Sequence, residues 1–189
     1  MKKFNKSRDT ICLVNHIGVD IKKWAFFPIG TALISAVLKE AGYKVRVLDL
    51  DLNPKLEDEI SNYKIIMFGL IAGPSLAFGL DKIEELKAME DKTVIVGGVF
   101  TNSIPKQVLE ETKTDFIVYG DVEEALIQLL KTLEGKGKLE DIKGVGYRKN
   151  GEIILTPSPI IRDLDSLPFP DIEAFDTEEY IKNTDLKLG

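Results

Sequence analysis

Cysteine and histidine are almost absent: the 189 residues hold one of each, Cys12 and His16. A single thiol excludes an intrachain disulfide and any all-cysteine zinc or iron–sulfur site within these residues. A single imidazole excludes chemistry that needs several. Positive charge is also short, 25 Lys and Arg against 31 Asp and Glu, a net charge of −6. That balance lacks the basic stripe that nucleic-acid binding requires. No apolar run reaches the ~20 residues that span a bilayer; the longest candidate, residues 24–38, is interrupted by Pro28, Gly30, Thr31 and Ser35. The basic start MKKFNKSRDT leads straight into a strand-like run without a small-residue cleavage site, so no secretion signal is read. Residues 1–9 are expected to be a solvated tail. Together these absences point to a reducing cytoplasm, with neither nucleic acid nor membrane as partner.

What is present is an alternation of apolar runs and helical spacings. TICLV (residues 10–14) reads as a buried first strand, which makes Cys12 a buried small hydrophobe. Pro28 suits a first helical turn, and Ile29, Leu33, Ala36, Val37 and Glu40 continue the helix to a Gly42 cap. Strands are expected at residues 44–50, 64–70, 93–96 and 115–119, and helices near 54–62, 75–89, 105–111 and 121–134. Five strands alternating with five helices imply right-handed crossovers and a parallel sheet, for which 2-1-3-4-5 is the common order. The texture changes at Gly135. Two short strands flank Lys149-Asn150-Gly151, a hairpin signal. The expected organisation is therefore a tail (1–9), an α/β domain (10–134), a hairpin extension (135–160) and a proline-punctuated linker (161–189).

In such sheets ligands bind beyond the carboxyl ends of the strands. Three loops there are unusual: Asn15-His16-Ile17-Gly18, Gly69-Leu70-Ile71-Ala72-Gly73-Pro74-Ser75, and Gly97-Gly98-Val99-Phe100-Thr101. Glycine after a strand lets backbone approach a ligand, or simply makes the turn. Ser75 is a candidate helix cap beside a phosphate-sized site. No G-x-G-x-x-G opens the first turn, so Asp49 and Asp51 do not make a nicotinamide site, and no P-loop occurs. Glu123 and Glu124 suit the start of the last helix through its dipole. Trp24, Phe26, Phe27 and Tyr119 are aromatic candidates for stacking on a cofactor or for packing the first loop.

The order of segments resembles the cobalamin-binding N-terminal domain of cobalamin-dependent radical S-adenosylmethionine enzymes. The resemblance spans about residues 10–172 and is carried by the proline-led helix from Pro28 to Gly42, Val45–Asp49, Gly69-Leu70, Val96-Gly97-Gly98, Asp115 to Glu124, the hairpin, and Asp163-Leu164-Asp165-Ser166-Leu167-Pro168-Phe169-Pro170. Its most specific parts are the G-[DE]-x-E-E turn at Gly120 and the L-D-S-L-P-F-P linker. It implies a flavodoxin-like doubly wound sheet and a cobalamin whose nucleotide tail enters the cleft at the strand ends. The site residues implied are Asn15, His16, Gly18, Ile71, Ala72, Gly73, Ser75, Gly97, Gly98, Val99, Phe100, Gly120 and Glu123.

The family continues from this linker into a radical domain opened by C-x-x-x-C-x-x-C, and the chain carries no such cysteines. It is therefore read as a fragment, without catalysis of its own. The C-terminal radical domain of the same polypeptide is the expected partner. S-adenosylmethionine and a [4Fe-4S] cluster are expected only in the full-length protein. Cobalamin mutases carry D-x-H-x-x-G after the first strand, but no Asp stands two residues before His16, so His16 is read as a loop residue and no metal ligand is assigned. Family members place Ser or Thr just past Gly-Leu, where this chain has Ile71 and Ala72. Tail contacts then fall to backbone amides and Ser75. The alternatives are a cofactor-free docking or substrate-recognition domain of the same fold, and a nucleotide- or flavin-binding domain.

Overall fold

A computed structural model describes residues 4–6, 9–18, 27–160 and 163–183. Three central strands, β1 (Thr10–Asn15), β3 (Ile65–Gly69) and β4 (Thr93–Gly97), are apolar almost throughout, because helices cover both of their faces. β2 (Lys44–Asp49) pairs with β1 at one edge, and its first half keeps Lys44 and Arg46 in water. β5 (Phe116–Val118) pairs parallel with β4.

The sheet does not stop there. β6 (Val145–Lys149) adds antiparallel to β5, and β7 (Glu152–Leu155) adds antiparallel to β6. The result is one seven-stranded mixed sheet of order β2-β1-β3-β4-β5-β6-β7. This corrects the expectation of a five-stranded, all-parallel, flavodoxin-like sheet with the hairpin as an extension. Asn150 and Gly151 both have positive φ, 54° and 85°, as a tight two-residue hairpin turn requires. The hairpin then covers the backbone edge that three-residue β5 would leave open.

Strand alternation sorts the apolar residues into two cores. Ile11, Leu13, Ile65, Met67, Ile95, Phe116 and Val118 face α1 (Ile29–Glu40) and α5 (Glu123–Leu133). Cys12, Val14, Ile66, Phe68, Val94, Val96 and Ile117 face the other way, toward α2 (Pro74–Lys87) and α4 (Pro105–Glu111). The Cys12 thiol is free, and burial pushes its pKa up to about 12. Residues 54–62 form a 3-10 helix rather than an α-helix, opened by Pro54 and capped by Asn53, whose Oδ1 accepts from the Lys55 amide at 3.2 Å. The turn after Gly98 is itself helical, α3 (Val99–Ser103), separated from α4 by Ile104, with Pro105 opening α4. No described helix is long and apolar enough to cross a membrane.

Two long-range contacts tie peripheral segments down. Arg148 on β6 donates from Nη1 to Thr114 O at 2.7 Å and from Nη2 to Leu109 O and Thr112 O, satisfying carbonyls at the end of α4. Arg148→Ala is expected to cost about 1–3 kcal/mol in urea unfolding, because charge-assisted bonds are lost and the carbonyls are left without donors; Arg148→Lys should recover only part, lacking the planar fork. The second contact is made by the C-terminal segment, which folds back over α1. Asp171 accepts from Ser35 Oγ and pairs with Lys39, and its amide donates to Ala32 O at 3.0 Å. Phe175 and Tyr180, the latter on α6 (Thr177–Asn183), are buried in the α1-side core. At the other terminus Phe4 stacks on Tyr43, and Lys6 lies over the same ring and donates to Ala41 O.

Candidate functional site

On the α1–α5 face the two helices do not close completely over the sheet. A cavity of about 410 Å³ remains, floored by Leu13, Met67, Ile95 and Val118 and walled by Thr31 and Ile34 of α1 and by Leu126 of α5. Asn15, His16, Gly69, Ile71, Gly97, Gly98, Val99 and Glu123 line it where the strands end. The size is within the usual range for small-molecule sites, and the walls are mostly apolar.

The glycines at this edge play different parts. A Cβ on Gly69 or on Gly30 would meet nothing within 4 Å, so both keep the cavity wide. A Cβ on Gly97 would touch Val118 Cγ2 at 3.0 Å. Gly98, at φ +95°, is confined by protein: a Cβ there would lie 2.6 Å from Leu70 O and 2.8 Å from Leu70 N. The β3 and β4 loops are also stitched together by Leu70 N donating to Gly97 O (2.8 Å) and Phe100 N to Leu70 O (3.2 Å).

Of the residues singled out from sequence, Asn15, His16, Ile71, Gly97, Gly98, Val99 and Glu123 meet around the cavity, and the other six do not line it. Gly18 turns at φ +74° against Pro74. Ala72 and Gly73 lie in the turn before α2. Ser75 is buried inside the first turn of α2 and makes no cap; Gly73 occupies the cap position at φ +89°. Phe100 packs on the opposite core. The Gly120 amide donates to Asn102 Oδ1, and a Cβ there would strike Ser158. Among the aromatics, Tyr119 donates to Thr156 O within the core, and Phe27 packs edge-on against Phe175 and Tyr180 at 5.2 and 5.4 Å. Trp24 and Phe26 lie outside the described residues.

Sequence reasoning passed over Asp51, which organises the first loop. It accepts from the amides of Ile17 (2.7 Å, Oδ2) and Gly18 (2.9 Å, Oδ1) and from Asn15 Nδ2 (3.4 Å). His16 Nδ1 lies 3.3 Å from Asp51 Oδ1 without hydrogen-bond alignment, while the His16 ring packs on Phe78. The acid missing from the first-strand motif is thus supplied from beyond β2. Burial works to raise the Asp51 pKa, but His16 and the two amides prevail and hold it below its ordinary 3.8. Neighbouring Asp49 goes the other way. Burial raises it despite bonds from Asn15 Nδ2 (2.9 Å) and from Tyr180 Oη (2.7 Å) of the C-terminal segment. The D-x-D spacing after β2 was the available signal. Among the described residues no group of three or more His, Cys, Asp or Glu is arranged to hold a metal ion.

A family model, the B12 binding domain, matches residues 24–130, more than half of the chain. In sequence the chain is 28% identical to the anaerobic magnesium-protoporphyrin IX monomethyl ester cyclase of a Synechocystis species, over 79% of this chain and 32% of that one. It is 23% identical to the cytidylyl-2-hydroxyethylphosphonate methyltransferase of Streptomyces wedmorensis, over 82% of this chain and 38% of that one. The chain thus spans about a third of these relatives' length. Among solved structures, the cobalamin-dependent S-adenosylmethionine radical enzyme OxsB with aqua-cobalamin and S-adenosylmethionine bound superposes with a TM-score of 0.75 at 23% identity, covering 93% of this chain and 25% of that one. The radical S-adenosylmethionine methyltransferase TsrM from Kitasatospora setae gives 0.61 at 19%, covering 79% and 30%. The chain therefore belongs to the B12 binding domain family and shares its fold with the cobalamin-dependent S-adenosylmethionine radical enzyme OxsB.

Proposed function

We propose that the chain holds cobalamin at the carboxyl ends of β1, β3 and β4 and presents it to a C-terminal radical S-adenosylmethionine domain of the same polypeptide, for methyl transfer or related radical chemistry. The observation that carries this reading is the cavity itself: mostly apolar walls, and bare glycine backbone at Gly30 and Gly69. These residues fit an apolar aromatic limb. The cavity cannot hold the whole macrocycle with its side chains, so the limb that enters is the nucleotide tail. When bound, cobalamin supplies a cobalt centre able to carry a methyl group. The chain's own residues bind and orient it: Ile71 and Val99 stand exposed at the mouth, Asn15 and His16 border it, and Gly97 gives its backbone.

His16 remains a loop residue in this reading, its Nδ1 turned to Asp51. S-adenosylmethionine and a [4Fe-4S] cluster belong to the C-terminal domain, since the single buried Cys12 cannot ligate a cluster. Ile160 and Phe169, 82% and 94% exposed, are apolar surface that a following domain would cover. A cytoplasmic setting fits the one free, buried thiol.

Titration with hydroxocobalamin, followed by visible absorbance and calorimetry, is expected to show saturable binding below about 1 mM, weakened because part of the corrin stays uncovered. A folded sample that binds nothing at that concentration would remove the cofactor and favour the docking-domain alternative.

A further inference from the structure

Four side chains bring nitrogen or oxygen to the cavity lining: Asn15, His16, Thr31 and Glu123. Glu123 Oε2 is closed to cavity and solvent alike. His16 and Thr31 are half-buried, and His16 turns its Nδ1 to Asp51 and its ring to Phe78. Asn15, at the end of β1, is only 5% exposed. Its amide has one orientation. Nδ2 donates to Asp49 Oδ1 at 2.9 Å and to Asp51 Oδ2 at 3.4 Å. Ionised carboxylates only accept, so the carbonyl cannot take the nitrogen's place. Asp49 is held in turn by Tyr180 Oη, which donates to its other oxygen at 2.7 Å. Asn15 Oδ1 is thereby turned away from both acids. It accepts no hydrogen bond from any described residue, yet, unlike Glu123 Oε2, it is not cut off from solvent. The open space beside this residue is the cavity, so its carbonyl is hydrated from there. A limb that fills the cavity displaces that water and must bring a donor, or leave a buried acceptor unpaired.

With cobalamin as the ligand, as read above, we propose that Asn15 Oδ1 is the specificity-determining acceptor of the cavity and takes a hydrogen bond from a ribose hydroxyl of the nucleotide limb. Of the nucleotide's base, phosphate and ribose, only the ribose donates. Dimethylbenzimidazole joined to ribose has no free N–H and suits the apolar wall of Leu13, Met67, Ile95 and Leu126. The phosphate is anionic and only accepts. The carbonyl gives it no donor, and the carboxylates of Asp49 and Asp51 behind Asn15 repel it. A neutral hydroxyl meets neither objection. The two carboxylates also polarise the Asn15 amide and strengthen its carbonyl as an acceptor. A site built to pair one hydroxyl rejects a ligand that lacks it.

The test removes the acceptor and the donor separately and together. Hydroxocobalamin and two analogues, each lacking one of the free ribose hydroxyls, are titrated by calorimetry into wild type and Asn15→Leu, with melting curves of both free proteins. Wild type is expected to bind at least one analogue about tenfold more weakly than cobalamin, which also identifies the hydroxyl. Asn15→Leu should melt lower, because Asp49 and Asp51 lose a donor. It should bind cobalamin and both analogues with equal affinity, the wild-type preference having gone. If Asn15 only braces the loop, the substitution weakens all three ligands in step and the preference survives; that result would overturn the proposal. So would wild type that binds both analogues as tightly as cobalamin, a measurement that does not depend on the variant folding. Either result leaves the cobalamin reading intact, whereas wild type that binds none of the three would overturn both.

Discussion

Gly69→Phe is expected to abolish cobalamin binding without moving the melting curve of the free protein. Gly69 ends β3 on the cavity side, and the space its Cβ would enter is open for 4 Å. A phenyl ring there fills the volume that an aromatic limb requires, and a strand end accommodates aromatic residues readily. Gly98→Val is the contrasting control. Its Cβ points into the Leu70 backbone at 2.6 Å, and its φ of +95° disfavours any branched side chain. It should lose stability, about 1–3 kcal/mol from strain alone, and binding should fall only with the folded fraction. Affinity and melting temperature measured on both variants separate the two. If Gly69→Phe binds cobalamin as wild type does, the cavity between the sheet and α1 is not the site.

The two glycines show what sequence conveys and what it does not. Gly69, Gly97 and Gly98 read alike in one dimension, as glycines at the ends of apolar strands, and Gly97-Gly98 looked the stronger pair for a ligand. Only the packing of the β3 loop onto the β4 turn reveals that Gly98 serves the protein and Gly69 the cavity. The central strands were legible because burial on both faces leaves continuous apolar runs such as TICLV and KIIMFGL. The hairpin turn was legible in Asn150-Gly151. Its docking was not, because pairing of Val118 with Val145 is a non-local event that no local pattern encodes. Gly146 matters there through its neighbours, since a Cβ would lie 2.6 Å from Ile117 Cγ1 and 2.7 Å from Leu155 Cδ2.

The C-terminal segment was harder still. Its elements are short turns without periodicity, and its anchors lie far away in sequence: Asp171 on Ser35 and Lys39, Tyr180 on Asp49. Asp51 was invisible as a site residue for a related reason. It belongs to the loop after β2, and becomes part of the first loop only because β2 lies beside β1 in the sheet. Strand order, which sequence leaves open, decided its role.

Asp51→Ala is expected to destabilise the protein by about 2–4 kcal/mol at pH 7, since two backbone amides and the Asn15 side chain lose a charged, buried acceptor. Asp51→Asn should do nearly as badly. Ile17 and Gly18 donate to different oxygens, so an amide must turn its NH2 toward one of these N–H groups. The effect should depend on pH with a definite sign. The folded protein holds Asp51 below its ordinary 3.8, so its contribution is present above that pH and is lost as the pH falls through the folded value. Asp49, raised by burial, runs oppositely: its contribution is present below 3.8 and is lost as the pH rises through its folded value. Asp171 is also depressed, burial being outweighed by Lys39 and Ser35, and is unaffected by the substitution. Urea unfolding of wild type and Asp51→Ala at pH 7 and at pH 3 therefore reads the Asp51 contribution net of its repulsion with Asp49, and the gap between them should narrow in acid. A gap that stays constant, or one below about 0.5 kcal/mol at pH 7, would mean that the Asn15–Gly18 loop is held by its other contacts. If the gap behaves as expected, cobalamin affinity should drop by more than the folded fraction accounts for, because Asn15 and His16 border the cavity mouth that Asp51 braces.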